Sequence, residues 1–397
     1  MENNQSRKVA IVDANNFYVS CERVFNPSLE GKKTVVLSNN DGCIIARSQE
    51  VKDIGVKMGQ PLFLLDEQVR GNIRKYSSNY NLYGDISDRI ANILLQFSPL
   101  VENYSIDESF IDLSHVDDRD ILDYLKVIKK TIQKWVGIPV SIGCGQNKTL
   151  AKLCNFISKN DKSHQGVYYQ GSGLVDLDTL PIDEVWGIGR KWSKKLNSCD
   201  IFTVKDFKKL SNLQAQGILN ITGLRTLLEL KGDYIHQVTN KFKRPKMVTY
   251  SRSFGTSVWR ESEIFDSLST FLEGSCKVLS REKLQAKRIS VFISTNRFDE
   301  DYFTWHRDIR LDVPSNNPNI IWTQIEEFLE EIPVKLWSKA GVTLKELIPD
   351  NIKVQNIFVD NVRETPLPKI ESGNWQTKME FLSPRYTTNW EDIPKIF

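Results

Sequence analysis

The run Val9-Ala-Ile-Val is wholly apolar and ends on Asp13, the pattern of a strand buried on both faces that delivers a carboxylate to one end of a sheet. A second strand-like run, Thr34 to Leu37, is followed by the turn cluster Ser38-Asn-Asn-Asp-Gly42, so the stretch between Pro27 and Tyr83 reads as a small inserted unit. Ile86, Ile90, Ile93, Leu94 and Phe97 share one helical face and predict a helix over 87–96. Two strands are expected at Leu100 to Ile106 and Ser109 to Leu113, broken by Asp107-Glu108, and a third at Ile138 to Gly143. Leu150, Leu153, Cys154 and Ile157 then place a helix over Asn147 to Lys159, started by Gly145 with its lysines on other faces. This alternation favours an α/β unit over an all-helical one.

The pattern changes twice further on. Between Gly171 and Gly232 strand signals fade and short helical segments dominate, whereas Arg288 to Thr295 alternates at period two, within strands expected from about Tyr250 to Leu347. Asn240-Lys-Phe-Lys-Arg-Pro-Lys246 has the composition of a tether. Beyond about Pro349, prolines at 366, 368, 384 and 394 with scattered aromatics suggest an interaction tail.

A length of 397 residues calls for several packed units, and a chain 40% hydrophobic and 26% charged should fold over most of its length. No apolar run reaches membrane-spanning length and the start MENNQSRK lacks a secretory leader, so no membrane association and a cytoplasmic location are expected. Six dispersed cysteines without a CxxC pair, and only four histidines, argue against a disulfide framework or a zinc site. Net charge is only +3, yet Gly187 to Arg260 holds 15 Lys and Arg against 4 Asp and Glu. Such a segment suits phosphates, although a solvated basic face has the same composition.

Phosphoryl transfer asks a protein mainly to hold two divalent ions with hard oxygen ligands beside the reacting phosphate. Asp13, Asp107 and Glu108 answer that requirement if the strands carrying them pair. Taken singly, Asp13 also fits a helix cap and Asp107-Glu108 an exposed hairpin turn. Val185-Trp-Gly-Ile-Gly-Arg-Lys191 reads as the hairpin of a helix-hairpin-helix. There Gly187 and Gly189 bare the backbone N–H groups to a DNA phosphate and Lys191, Lys194 and Lys195 add charge; a C-cap turn is the structural alternative.

Three motifs, Asp13-Ala-Asn-Asn-Phe-Tyr18, Tyr104-Ser-Ile-Asp-Glu108 and Gly145-Gln-Asn-Lys-Thr-Leu-Ala-Lys152, resemble those of Y-family DNA polymerases. Ser38 to Arg47, Val185 to Arg190 and the ending Leu382 to Pro394 narrow the resemblance to the branch that works with a UmuD-type partner, and it runs nearly end to end. The resemblance implies a mixed α/β (α+β) multidomain right-hand polymerase. Its palm would occupy 1–24 and 82–170, small fingers 25–81, a helical thumb 171–239, a linker 240–249, a little finger 250–348 and an interaction tail 349–397.

On the same basis Asp13, Asp107 and Glu108, with the Ala14 carbonyl, would hold two Mg2+ ions, with Mn2+ as a substitute, and Tyr18 would be the steric gate against ribonucleotides. Lys159, and Lys52 by alignment, would face the incoming deoxynucleoside triphosphate. Ile357 and Phe358 would dock on a sliding clamp, although the glutamine before them sits one place later than the family pattern. Implied partners are primer-template DNA, deoxynucleoside triphosphates, a processed UmuD-type homodimer, a RecA filament and the sliding clamp, in lesion bypass during the SOS response. Two rivals stay open: a DinB-type polymerase, which lacks the Ser38 to Gly42 turn and the Tyr386-Thr-Thr388 ending, and a non-catalytic DNA-binding scaffold of the same fold.

Overall fold

The structure is a computed structural model that describes residues 7–38, 41–240, 244–352 and 366–367. Among these, 7–36 and 44–240 group as one compact unit and the rest as a second. The N-terminal apolar run forms β1 (Val9–Ala14), buried along its length, and leads into α1 (Phe17–Phe25). The insertion follows as β2 (Thr34–Leu37), β3 (Ile44–Arg47), α2 (Gln49–Asp53), α3 (Glu67–Asn72) and β4 (Arg74–Ser77), its strands making a small sheet in the order β3-β2-β4. Next come α4 (Tyr80–Leu94), β5 (Val101–Asn103), β6 (Glu108–Asp112), α5 (Ile121–Val136), β7 (Val140–Gly145), α6 (Lys148–Asn160) and β8 (Val167–Tyr169). The five-stranded sheet runs β5-β6-β1-β7-β8, antiparallel except for the parallel pair β7 and β8.

Alternation along β1 divides the molecule's chemistry. Ala10, Val12 and Ala14 point into a core shared with α1, α4 and α5, while Val9 and Ile11 point the other way, against Ala151 of α6. By that period of two, Asp13 belongs to the α6 side. The sheet and α6 approach closely because two glycines allow it: a Cβ on Gly143 would lie 2.0 Å from the Asn155 backbone nitrogen, and one on Gly145 2.8 Å from the Leu150 carbonyl carbon.

Several expected boundaries move. Helix α4 starts seven residues before the expected 87 because Asn79 caps it, accepting the Leu82 N–H. Likewise α6 is started by Asn147, whose side chain accepts the Leu150 N–H, and Gly145 ends β7 instead. The helical stretch follows as α7 (Arg190–Asn197), α8 (Val204–Lys208) and α9 (Asn212–Leu230), the last kinked where Asn220 takes φ 70°. These helices share a core with Leu150, Leu153, Cys154 and Ile157 of α6.

In the second unit β9 (Val248–Val258) is followed by α10 (Glu261–Arg281), then β10 (Leu284–Ser294), β11 (Thr304–Ser315), α11 (Pro318–Thr323), α12 (Glu326–Leu329) and β12 (Trp337–Pro349). The sheet order is β11-β10-β12-β9, antiparallel throughout. The expected run of strands is thus interrupted by a 21-residue helix. Its buried Ile264, Leu268, Phe271, Leu272 and Leu279 recur at helical spacing and pack on the sheet. All six cysteines are free thiols, and no described helix is long and apolar enough to cross a membrane.

Candidate active site

Asp13 and Glu108 are cross-strand partners in the β1–β6 ladder, so their side chains leave the same face of the sheet. Asp107 stands in the turn before β6, and its carbonyl accepts the Ala14 N–H at 2.8 Å. The turn is tightly closed. Tyr104 and Ser105 N–H groups both donate to the Glu108 carbonyl at 3.0 Å, and the Ser105 hydroxyl donates to Asp107 Oδ1 at 2.6 Å. The strand register therefore sets Asp13 beside the segment that carries Asp107 and Glu108, as the sequence led one to expect.

What lies opposite them was not legible beforehand. Lys148, Lys152, Asn155 and Lys159 form one stripe of α6 at i, i+4, i+7 and i+11, and this polar stripe faces the sheet. Lys148 Nζ pairs with Glu102 at 2.7 Å and Lys152 Nζ with Glu108 at 2.8 Å. Lys159 Nζ meets Asp13 Oδ2 at 2.5 Å, and Asn155 Nδ2 donates to the same oxygen at 3.2 Å. Burial pushes the Asp13 carboxyl up to about 6; Lys159 opposes that rise while the Glu108 and Asp107 charges add to it.

A cleft of about 370 Å³ opens on this floor, lined by Asp13, Ala14, Tyr18, Lys52, Asp107 and Lys159 together with Arg47 and Met58. Glu108 does not line it, being turned to Lys152. Tyr18 projects from α1 with its ring stacked on Tyr83, centroids 4.3 Å apart at 16°, and meets Tyr80 edge-on at 6.1 Å. The Tyr83 hydroxyl donates to Glu22 Oε1 at 2.6 Å, both groups being buried. The Lys52 ammonium is pulled below its usual range by burial, then by the Arg47 and Lys159 charges. Arg47, Lys52 and Lys159 thus line the same cleft as Asp13 and Asp107, with Lys159 paired to Asp13, a net excess of one cation that favours an anionic ligand. Arg47 was missed as a site residue; its place at the end of the half-buried strand β3, where it alternates with the buried Ala46, was the available signal.

Among the described residues, no group of three or more Asp, Glu, His or Cys side chains is poised around a metal position. The donor chemistry nonetheless fits a hard divalent cation, since carboxylate oxygens already hold two ammonium groups there. In the hairpin, Gly187 takes φ +87°, where a side chain would be strained, and Gly189 has open space around its backbone. Lys191 and Lys194 are exposed, whereas Lys195 donates to the Ile218 carbonyl at 2.7 Å and braces α9. Asn39, Asn40, Ile357, Phe358 and the ending from Leu382 lie outside the described residues.

Family models place the chain. The impB/mucB/samB family model matches residues 12–155, its C-terminal domain matches 245–357, and a domain of unknown function matches 369–396. Protein UmuC of Salmonella typhimurium is 33% identical over 98% of this chain and 99% of its own length. DNA polymerase IV of Oceanobacillus iheyensis is 29% identical over 87% of this chain and 82% of its own. Among solved structures, a Y-family DNA polymerase chimera of Dbh and Dpo4 shares the fold at TM-score 0.69 and 23% identity, covering 86% of this chain and 99% of that one. The chain belongs to the impB/mucB/samB family and is a UmuC-like translesion DNA polymerase of the Y-family.

Proposed function

We propose that the cleft beside Asp13 is where a primer 3′-hydroxyl attacks the α-phosphate of a template-paired deoxynucleoside triphosphate, releasing pyrophosphate. In this assignment 1–24 with 82–170 form the palm, 25–81 the fingers, 171–239 the thumb, 240–249 a linker, 250–348 the little finger and 349–397 an interaction tail. The carrying observation is the register that sets Asp13 against Glu108, with the Asp107 carbonyl bound to Ala14 beside them. Asp13, Asp107, Glu108 and the Ala14 carbonyl would hold two divalent ions, Mg2+ or Mn2+. When bound, these supply the positive charge that activates the hydroxyl and neutralises pyrophosphate. Loading them requires Lys159 and Lys152 to release their carboxylates.

The chain's own residues do the rest. Tyr18, fixed by its stack on Tyr83, leaves no room beneath the sugar for a 2′-hydroxyl. Lys159, once turned from Asp13, reaches the triphosphate together with Lys52 and Arg47 on the same wall. The Gly187 to Gly189 hairpin, with Lys191 and Lys194, grips the duplex backbone without reading sequence. Similarity to UmuC supports a processed UmuD-type homodimer, a RecA filament and, through Ile357 and Phe358, a sliding clamp as partners in the cytoplasm.

Primer extension in Mg2+ tests the assignment. The wild type extends a primed template, and neither Asp13→Ala nor Asp107→Ala does. A wild type that binds primed DNA and never extends it, with the candidate partners added, would instead make the chain a scaffold.

A further inference from the structure

Within the hairpin, Val185 and Ile188 are buried in the core of the helical stretch, but Trp186 between them is turned elsewhere. Its Nε1–H donates to the Tyr104 hydroxyl at 3.2 Å, and the two rings meet edge to face at 5.6 Å and 85°. Tyr104 is the first residue of the closed turn that ends in Asp107 and Glu108. Tyr104 is 44% exposed, and besides Trp186 its ring meets Phe110 edge to face at 5.5 Å, so the indole holds it on one side and the sheet on the other. The Lys152 ammonium lies 5.0 Å from the Tyr104 ring and 5.9 Å from that of Trp186 while both of its hydrogen bonds go to the Glu108 carboxylate. On the far side His236 meets the indole edge-on at 5.5 Å and 68°.

We infer that Trp186 is a positioning residue: it ties the hairpin to the turn that presents Asp107 and Glu108, so that the carboxylates take their metal-holding placement only with the hairpin seated. The inference rests on the polymerase reading of the site. A hairpin residue serving packing alone would be buried with its two neighbours, and one serving DNA alone would need no hydrogen bond to Tyr104. The lysine beneath both rings gives the link a chemical direction. An indole and a phenol ring offer their negative faces to the ammonium that Glu108 must release, so the pair provides Lys152 with somewhere to rest when the carboxylate turns to a cation.

The test uses the full chain as wild type, Trp186→Phe, Tyr104→Phe and the double variant. Trp186→Phe keeps a ring in the half-exposed site and removes the N–H; Tyr104→Phe removes the same hydrogen bond from the other side, and thermal midpoints confirm that both fold. Three quantities are measured: kcat and KM for a deoxynucleotide, affinity for a fluorescein-labelled primed duplex, and binding of Mn2+ alone followed by the electron paramagnetic resonance of the free ion.

Each single variant is expected to lose about tenfold in kcat, since small misplacements of reacting groups carry penalties on that scale, and to bind Mn2+ several-fold more weakly. Nucleotide KM and duplex affinity should stay within about twofold of wild type. The double variant should be no slower than the worse single, because both remove one interaction. Additive losses in the double variant overturn the proposal, as does weakened duplex binding with unchanged kcat and Mn2+ affinity. Failure of the wild type to extend a primer is a separate result: it removes the polymerase reading, and this inference with it.

Discussion

Lys159 closes on Asp13 at 2.5 Å, so the acid that β1 delivers to the cleft is held by an ammonium ion on α6. Burial still raises the Asp13 carboxyl to about 6, from an unfolded value of 3.8. Because the folded value is the higher one, the favourable contribution is complete below the unfolded value and is lost as pH rises through 6. Without divalent ions, Asp13→Asn should therefore be more stable than wild type at pH 8, by roughly 1–3 kcal/mol, and no more stable at pH 4. Mg2+ should raise the wild-type thermal midpoint and leave that of the variant unmoved, as linkage requires of a ligand that only the former binds. Differential scanning fluorimetry across pH checks both.

The ring of Tyr18 rests on Tyr83 rather than on solvent, which under the proposed gate role would set the height of the floor beneath a nucleotide sugar. Tyr18→Ala should lower the preference for deoxynucleotides over ribonucleotides by on the order of 10²-fold or more, while Tyr18→Phe retains it, because exclusion depends on ring volume. The measurement is the ratio of kcat/KM for paired deoxy- and ribonucleotides. Unchanged discrimination in Tyr18→Ala would remove the gate assignment.

Glu22 is buried with its carboxylate accepting the Tyr83 hydroxyl, and burial raises its pKa, the hydrogen bond opposing only in part. A carboxyl raised in the fold weakens stability as pH climbs above its unfolded value. Glu22→Gln keeps an acceptor for Tyr83 and removes the charge. It should stabilise the protein by about 1 kcal/mol at pH 8 and be neutral near pH 4, read by urea denaturation.

Lys191 and Lys194 stand exposed at the start of α7, beside the open backbone of Gly189. Replacing both with alanine should weaken duplex binding equally for any sequence and flatten the slope of log affinity against log salt by about 2, one unit per lost phosphate contact. Lys195→Ala should leave that slope unchanged, because its ammonium is bound to the Ile218 carbonyl. Fluorescence anisotropy over a salt series separates the two.

Much was decided by the chain itself. An unbroken apolar run before Asp13 reads as a buried strand, and a turn between two paired strands is legible near Asp107, although the structure sets it at 104–107 with Glu108 already the first residue of β6; Gly187, at φ +87°, occupies a position that suits a residue without a Cβ. These features are local: hydrophobic period, turn chemistry and backbone sterics act over a few residues, so they can be read in order along the chain. The helix α10 was equally local, and its apolar spacing was there to be read.

Tertiary structure alone decided who faces whom. The lysine stripe of α6 has the composition of a solvated face, yet Gly143 and Gly145 let the helix settle onto the sheet and turn that stripe toward Glu102, Glu108 and Asp13. No local signal tells an exposed lysine from one buried against an acid 46 residues away, and the same holds for Trp186 and Tyr104, 82 residues apart. Charge pairing and ring contacts across such separations exist only after strand register is set, because register is what brings distant side chains to one face.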